Sequence, residues 1–290
     1  MLNKNEEYKH PLDDLLLSEY LPHIWCPGCG IGIVLSCYLR ALLDLKIDLR
    51  NVVVVSGIGC TGRISNYVAL DSFHTTHGRA IPVAMGIKIT KPHLKVTVIS
   101  GDGDLFAIGG NHFIHAARRN VDLFVLCVNN FNYGMTGGQL GPTTPFQSKT
   151  TTSPYGNIEQ PFNLPYLAAA SGATFVARWT IAQPSALIKS TKRALERTGF
   201  SFIEVIAPCI TLFSRYNKLG GAPEVLKYLL NNSIIQNNVD PAKANIELGK
   251  KIIVGEFLEF ERPEFIKEVY RLIKEQSGLE IKSILESVEK

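Results

Sequence analysis

Two sets of residues in this 290-residue chain have types and spacings that could do chemistry. The first pairs an acid with an amide: Asp102, held between Gly101 and Gly103, and Asn130, which closes Asn129-Asn130. Asp102 offers one hard anionic oxygen and Asn130 a neutral amide oxygen. Mg²⁺ accepts such a set, with few protein carboxylates and the other positions filled by phosphate and water. A second carboxylate would repel a diphosphate; an amide does not. Gly101, Gly103, Gly137 and Gly138 let the backbone come close to phosphate oxygens. The second set is the cysteines, with Cys26 and Cys29 in Trp25-Cys26-Pro27-Gly28-Cys29 and Cys60 and Cys209 far along the chain. By itself Gly-Asp-Gly is more often a plain turn. A lone C-x-x-C is shared by thioredoxin-type redox motifs and zinc sites.

The elements that must position these residues are legible around them. Asp102 follows an apolar, β-branched run at 96–99. A helical stretch at 106–119 follows, then a second apolar run at 123–128 that ends at Asn129-Asn130. Two buried strands joined by a helix make a parallel βαβ unit, so both polar turns leave at the carboxyl edge of the sheet, where open α/β sheets bind ligands. Cys60 lies just past a β-branched run at 52–55, in Ser56-Gly57-Ile58-Gly59-Cys60-Thr61-Gly62, and Cys209 lies just past a run at 201–206. Both should reach that same edge. Cys37, inside a helical pattern at 31–45, and Cys127, in mid-strand, read as small apolar core residues.

The remaining pattern predicts helices over 63–73, 80–88, 166–171 and 184–198 and a strand over 174–178. The Pro-, Thr- and Gly-rich stretch 140–165 reads as a long ordered loop, a kind that is usually functional. Alternating strands and helices predict a doubly wound, mainly parallel α/β sheet. Residues 1–20 read as an N-terminal arm that needs a surface to lie against, and 21–215 as the binding domain. Residues 216–290, with helical patterns near 224–230, 263–275 and 281–288, read as a C-terminal extension without a full core of its own, suited to contacting a partner.

Composition narrows the class. An apolar fraction of 46% and a net charge of +4 are those of a globular chain, and no basic run interleaved with aromatics points to nucleic acid. The polar, acidic N-terminus predicts no signal peptide, and no apolar run reaches the roughly 20 residues of a membrane span. Cytoplasmic location and reduced thiols are the expectation.

The series strand, GDG, helix, strand, NN, Gly-rich loop resembles the thiamin diphosphate motif. That resemblance implies Mg²⁺ bound by Asp102, by the Asn130 side chain and by the backbone carbonyl of Asn132. Four thiolates at the same edge suit either structural zinc or a four-iron cluster. No strand precedes Trp25 and no second C-x-x-C exists, which weakens the thioredoxin and paired-zinc readings. Beside thiamin, zinc would add only rigidity, whereas a cluster would give electrons an exit.

With WCPGC, SGIGCTGR, HTTHGR and NYGMTGGQ in one chain, residues 20–215 resemble the β subunit of a 2-oxoacid:ferredoxin oxidoreductase, in its 2-oxoglutarate branch. The resemblance implies a 4Fe–4S cluster on Cys26, Cys29, Cys60 and Cys209. It implies diphosphate contacts from the loop carrying Tyr133, Gly134, Met135, Thr136, Gly137 and Gly138, with Gly101, Gly103, Asp104, Cys60 and His77 close to the cofactor. Some relatives carry lysine where Gly137 stands, so any role of that lysine is absent. In HTTHGR, His74 and His77 alone fall short of a metal's ligand set; Arg79 or a histidine could bind a substrate carboxylate or serve structure.

The implied activity is reversible, coenzyme A-dependent oxidative decarboxylation of a 2-oxoacid, 2-oxoglutarate giving succinyl-CoA and CO₂, with electrons passing through the cluster to ferredoxin. The implied partner is an α subunit supplying the glutamate that activates thiamin, in a dimer of αβ heterodimers. The alternatives are a pyruvate or broad-specificity enzyme, a non-redox thiamin lyase or carboligase with structural zinc, and a non-catalytic scaffold subunit.

Overall fold

The computed structural model describes residues 10–278. The chain runs α1 (Ile31–Leu45), β1 (Val52–Ser56), β2 (Asp71–His74), α2 (Ala80–Thr90), β3 (Lys95–Gly101), α3 (Gly110–Arg119) and β4 (Phe124–Asn129). A small ribbon follows, β5 (Asn132–Tyr133) and β6 (Gln139–Leu140), then α4 (Leu164–Ser171), β7 (Phe175–Thr180), α5 (Pro184–Glu196) and β8 (Ser201–Ile206). The chain continues through α6 (Phe213–Tyr216), α7 (Ala222–Asn232), β9 (Ser233–Ile235), β10 (Ile252–Glu259) and α8 (Phe265–Ser277).

Eight strands form one sheet in the order β2-β1-β3-β4-β8-β7-β10-β9. The six from β2 to β7 are mutually parallel; β10 runs antiparallel to β7, and β9 parallel to β10. The central strands are continuously apolar because both faces are covered. Val52 and Val54 join the core under α1 and α5, while Val53 and Val55 join the opposite core with Ala84 of α2 and Phe113 of α3. Each such valine contributes about 1.5–3 kcal/mol on burial. The stiffness of this doubly covered sheet holds the loops at its carboxyl edge in place.

Three segments depart from the sequence expectation. Residues 63–73 are not a helix: a 3₁₀ turn over Thr61–Asn66 leads into strand β2. All four β2 residues are exposed, so this edge strand carries no apolar signal, yet its backbone pairs with β1. The helix expected over 106–119 is entered earlier, through a wide π-helical turn over Gly103–Ile108 that donates Gly109 N to Asp104 O at 3.1 Å. Such turns cluster at functional sites.

The C-terminal residues do more than append helices. β9 and β10 extend the main sheet, Val254 and Phe257 enter its two cores, and α7 and α8 cover the expected helical stretches. The helix expected at 281–288 lies outside the described residues. The arm finds its surface on this chain: Leu12 and Leu15 are buried, and Leu17 N donates to Tyr67 O at 3.0 Å. Among the described residues no helix is long and apolar enough to cross a membrane.

Candidate functional site

At the carboxyl edge, the turn after β3 faces the turn after β4. Asn130 N donates to Asp102 Oδ1 at 3.4 Å, and Asn132 N donates to Asn130 Oδ1 at 3.2 Å. Both turns open onto a cavity of about 210 Å³ whose lining includes Gly101, Asp102, Gly103, Asn130, Asn132 and Tyr133. Asp102 is almost wholly buried, and burial pushes its carboxyl up to about 6 against the opposing pull of Thr143 and the Asn130 N–H. A carboxylate so poorly solvated gains most from a cation. Thr61 Oγ1 and both amide atoms of Asn132, from residues lining the same cavity, are buried without a hydrogen-bond partner. Unpaired buried polar atoms are costly. A carboxylate, amide oxygens and a hydroxyl around one polar cavity fit the hard-donor chemistry of Mg²⁺ with phosphate.

Gly103 is required by packing: a Cβ there would run into the Tyr133 ring. Asp104 is also deeply buried, and its carboxylate serves structure. It accepts from His77 Nδ1 at 2.6 Å, Gly78 N at 2.7 Å, Ser100 Oγ at 2.9 Å and Ile58 N at 3.1 Å. Asp104 thus ties the loop after β1 and the HTTHGR turn to the entry of the π-helical turn. It also leaves no room for a side chain at Gly57. His77, partly exposed, lines the cavity. His74 packs its Nδ1 against Gly62 O at 3.0 Å, and Arg79 Nη1 lies 3.1 Å from His112 Nε2.

A second cavity, of about 270 Å³, adjoins the first and is lined by Cys26, Cys29, Cys60 and Cys209. Four segments remote in sequence meet here. Cys29 N bonds to Cys26 O at 3.1 Å, closing the CPGC turn. The Trp25 indole donates to Cys60 O at 2.8 Å, and Cys209 N donates to Asn130 O at 3.1 Å. Thr211 Oγ1 sits 3.8 Å from Cys26 Sγ and 3.6 Å from Cys209 Sγ. Burial, and then the neighbouring thiols, raise the Cys60 pKa to about 11; burial also raises Cys29. Uncomplexed, these are inert thiols; bound metal would hold them as thiolates.

The four thiols line one cavity, a sulfur donor set whose chemistry fits a four-iron cluster or a zinc ion. Cys37 and Cys127 are buried in the two cores, as expected from their positions.

The two cavities share a wall formed by Cys60, Asn130, Gly134 and Met135. A Cβ built at Gly134 would lie 3.5 Å from Asn130 Nδ2, Asn132 Oδ1 and Cys209 Sγ alike. At Gly134 the oxygen-rich site and the sulfur-rich one approach within the reach of a single methyl group. Sequence reading passed over Thr143, whose hydroxyl bonds Asp102 Oδ2, and Thr61. Their only signal was membership of glycine-rich loops near the cysteines and the long ordered loop.

The family described as the C-terminal TPP-binding domain of thiamine pyrophosphate enzymes matches residues 48–205, which span both turns of the oxygen-rich cavity. A 2-oxoglutarate synthase subunit KorB of Methanocaldococcus jannaschii is 50% identical over 91% of this chain and 98% of its own length. A KorB of Archaeoglobus fulgidus is 49% identical over 85% of this chain and 91% of its own length. A solved 2-oxoglutarate:ferredoxin oxidoreductase from Magnetococcus marinus, with 2-oxoglutarate, coenzyme A and succinyl-CoA bound, aligns with a TM-score of 0.79 and 29% identity over 93% of each chain. The chain belongs to the β subunits of the 2-oxoacid:ferredoxin oxidoreductases, in the 2-oxoglutarate synthase branch.

Proposed function

We propose that this β subunit carries both thiamin diphosphate and an iron–sulfur cluster for the oxidative decarboxylation of 2-oxoglutarate to succinyl-CoA. The observation supporting this reading is the shared wall at Gly134, which brings a hard-oxygen cradle and a four-thiol cage into contact at one sheet edge. Asp102, the Asn130 side chain and the Asn132 carbonyl would hold Mg²⁺, and the loop from Tyr133 to Gly138 would bind the diphosphate. Bound there, thiamin diphosphate supplies the electron sink that lets a 2-oxoacid lose CO₂.

The chain's own residues bind, orient and desolvate. Tyr133, stacked on Gly103, shapes the cradle, and Asp104 fixes His77 at its rim. Cys26, Cys29, Cys60 and Cys209 would hold a 4Fe–4S cluster, which would supply a one-electron acceptor in the cavity adjoining the thiamin site. Cys26 is exposed, so on this reading one edge of the cage would face solvent and a ferredoxin. Coenzyme A would take up the acyl group. The activating glutamate would come from an α subunit, in a dimer of αβ heterodimers, with the β7-side extension offered to that partner, all in the cytoplasm.

The test is anaerobic purification of the chain together with whatever subunit it retains, followed by metal, acid-labile sulfide and thiamin analysis. A brown complex holding about four irons and four sulfides per chain, as a 4Fe–4S cluster requires, with thiamin diphosphate and Mg²⁺, is expected. A colourless, zinc-loaded complex would overturn the cluster assignment.

A further inference from the structure

Asp102 sits at the end of a buried polar chain that crosses the sheet. Its Oδ2 accepts from Thr143 Oγ1, which lies 2.9 Å from Asn129 Oδ1. Asn129 Nδ2 donates to Glu204 Oε1 at 2.7 Å, and Glu204 Oε2 accepts from Arg178 Nε at 2.5 Å. Arg178 also donates through Nη1 to the carbonyl of Ala244. The chain passes from the turn after β3 through β4 and β8 to β7 and ends on the C-terminal region. All five side chains are essentially buried, with Glu204 and Arg178 at 0% exposure.

This arrangement explains why two asparagines close β4. Adjacent residues of an extended segment point to opposite sides. Asn130 lines the cavity, and Asn129 turns away to Glu204. The Asn129 amide is oriented by its partners: Oδ1 accepts from Phe131 N at 3.1 Å, and Nδ2 faces the Glu204 carboxylate. The Thr143 hydroxyl then has one proton and two acceptors, Asp102 and Asn129. The ionised carboxylate is the stronger acceptor and takes it, which pins one Asp102 oxygen and leaves Oδ1 for other partners. Asn129 Oδ1, 2.9 Å from Thr143 Oγ1, then acts on Thr143 by packing, fixing where its hydroxyl sits, and not as a simultaneous acceptor. Such outer partners of a metal ligand set its orientation.

We propose that Thr143, Asn129, Glu204 and Arg178 are positioning residues that aim Asp102 at Mg²⁺, with Thr143 the contact through which they act. The proposal rests on the reading of Asp102 as a Mg²⁺ ligand. A buried ion pair such as Arg178–Glu204 adds little to stability compared with apolar replacements. Its placement at the far end of this chain gives it an orienting task that stability alone does not require.

The experiment uses the complex purified with its partner subunit and thiamin diphosphate, and reads Mg²⁺ affinity by competition with EPR-visible Mn²⁺, beside the melting temperature. Thr143→Val should weaken Mg²⁺ by about 10–100-fold, the usual effect of losing a ligand's outer partner, with little change in melting temperature. Thr143→Ser, which keeps the hydroxyl, should restore wild-type affinity. Glu204→Gln should weaken Mg²⁺ in the same direction. Should Glu204→Gln fail to fold, the paired replacement Glu204→Met with Arg178→Met serves in its place. Wild-type Mg²⁺ affinity in Thr143→Val, or equal weakening in Thr143→Val and Thr143→Ser, would overturn the proposal; so would wild-type affinity in a folded Glu204 variant. Asp102→Asn is the separate control: if it still binds Mg²⁺ with wild-type affinity, the ligand reading fails, whereas its loss beside an unaffected Thr143→Val sinks the positioning chain alone.

Discussion

The two adjoining cavities are built on opposite plans. The oxygen-rich one takes its acid and amides from the two turns of one βαβ unit, with Thr61 and His77 added from the loops around β1 and β2. Its donor Asp102 is buried and bonded to Thr143 and the Asn130 N–H. The sulfur-rich one draws its four cysteines from three remote segments, two of them from the CPGC turn, and its members grade from the part-buried Cys29, Cys60 and Cys209 to the exposed Cys26. A site that must hold a small hard cation needs rigid, desolvated oxygens. A site that must hand electrons to another protein needs one edge near solvent. On the proposed reading, the difference teaches that one sheet edge can serve both demands because its loops differ in depth, with Gly134 on the boundary.

Cross-substitution should break the comparison most sharply. Asp102→Ala is expected to abolish Mg²⁺-dependent thiamin diphosphate binding and spare the cluster's visible absorption. Cys209→Ser should do the reverse, losing the absorption and the reduction of ferredoxin while cofactor binding persists. Isothermal titration and anaerobic spectra of the two complexes check this. If either change removes both properties from a folded complex, the sites are not separable.

Next in size is Gly103→Val, which forces the Tyr133 ring off its seat. Overpacking of this kind costs about 1–3 kcal/mol. Thiamin diphosphate affinity should fall about 10–100-fold, while the spectrum of the cluster stays unchanged.

A pH series separates the sites by sign. Burial lifts the Asp102 carboxyl from 3.8 to about 6 in the metal-free protein. The folded state therefore binds this proton more tightly than the unfolded chain. The contribution to stability is fully present below pH 3.8 and is lost as pH rises through about 6. Mg²⁺ binding must displace the proton, so its effect runs the other way: Mg²⁺ affinity weakens by about tenfold per unit below pH 6, and the stabilisation it gives shrinks with it. Melting curves with and without Mg²⁺ should diverge at pH 7.5 and converge near pH 5. A gap that stays constant across this range would show that Asp102 is not the proton displaced.

The smallest effect is the one that tests the wall itself. Gly134→Ala adds a methyl in ordinary van der Waals contact with Asn130, Asn132 and Cys209. It should change thiamin affinity by no more than about fivefold, less than 1 kcal/mol, yet perturb the reduced cluster's EPR signal as well. A change in one readout alone would place the wall elsewhere.

Much of this was legible in the chain, for definable reasons. Runs rich in apolar residues, β-branched in β1 and β3, announce strands covered on both faces, so β1, β3, β4 and β8 and their carboxyl ends could be placed, and with them Asp102, Asn130, Cys60 and Cys209. Strand β2 escaped because an exposed edge strand has neither apolar continuity nor alternation. Strand β10 escaped because its residues vary in burial, and its role as an added edge depends on an antiparallel partner, β7, about eighty positions earlier. The π-helical turn at Gly103 has no sequence period of its own to betray it.

Residue type and local spacing were thus enough to determine which donors exist and at which end of the sheet they emerge, because strand direction and burial are written in short-range patterns. Only the tertiary structure decided that the two cavities meet along a wall of Cys60, Asn130, Gly134 and Met135, and that Asp102 touches Thr143, which packs on the Asn129 bonded to Glu204 and, through it, Arg178. Those facts depend on the order in which strands lie side by side and on which buried polar atoms find one another, and no local stretch of chain encodes either.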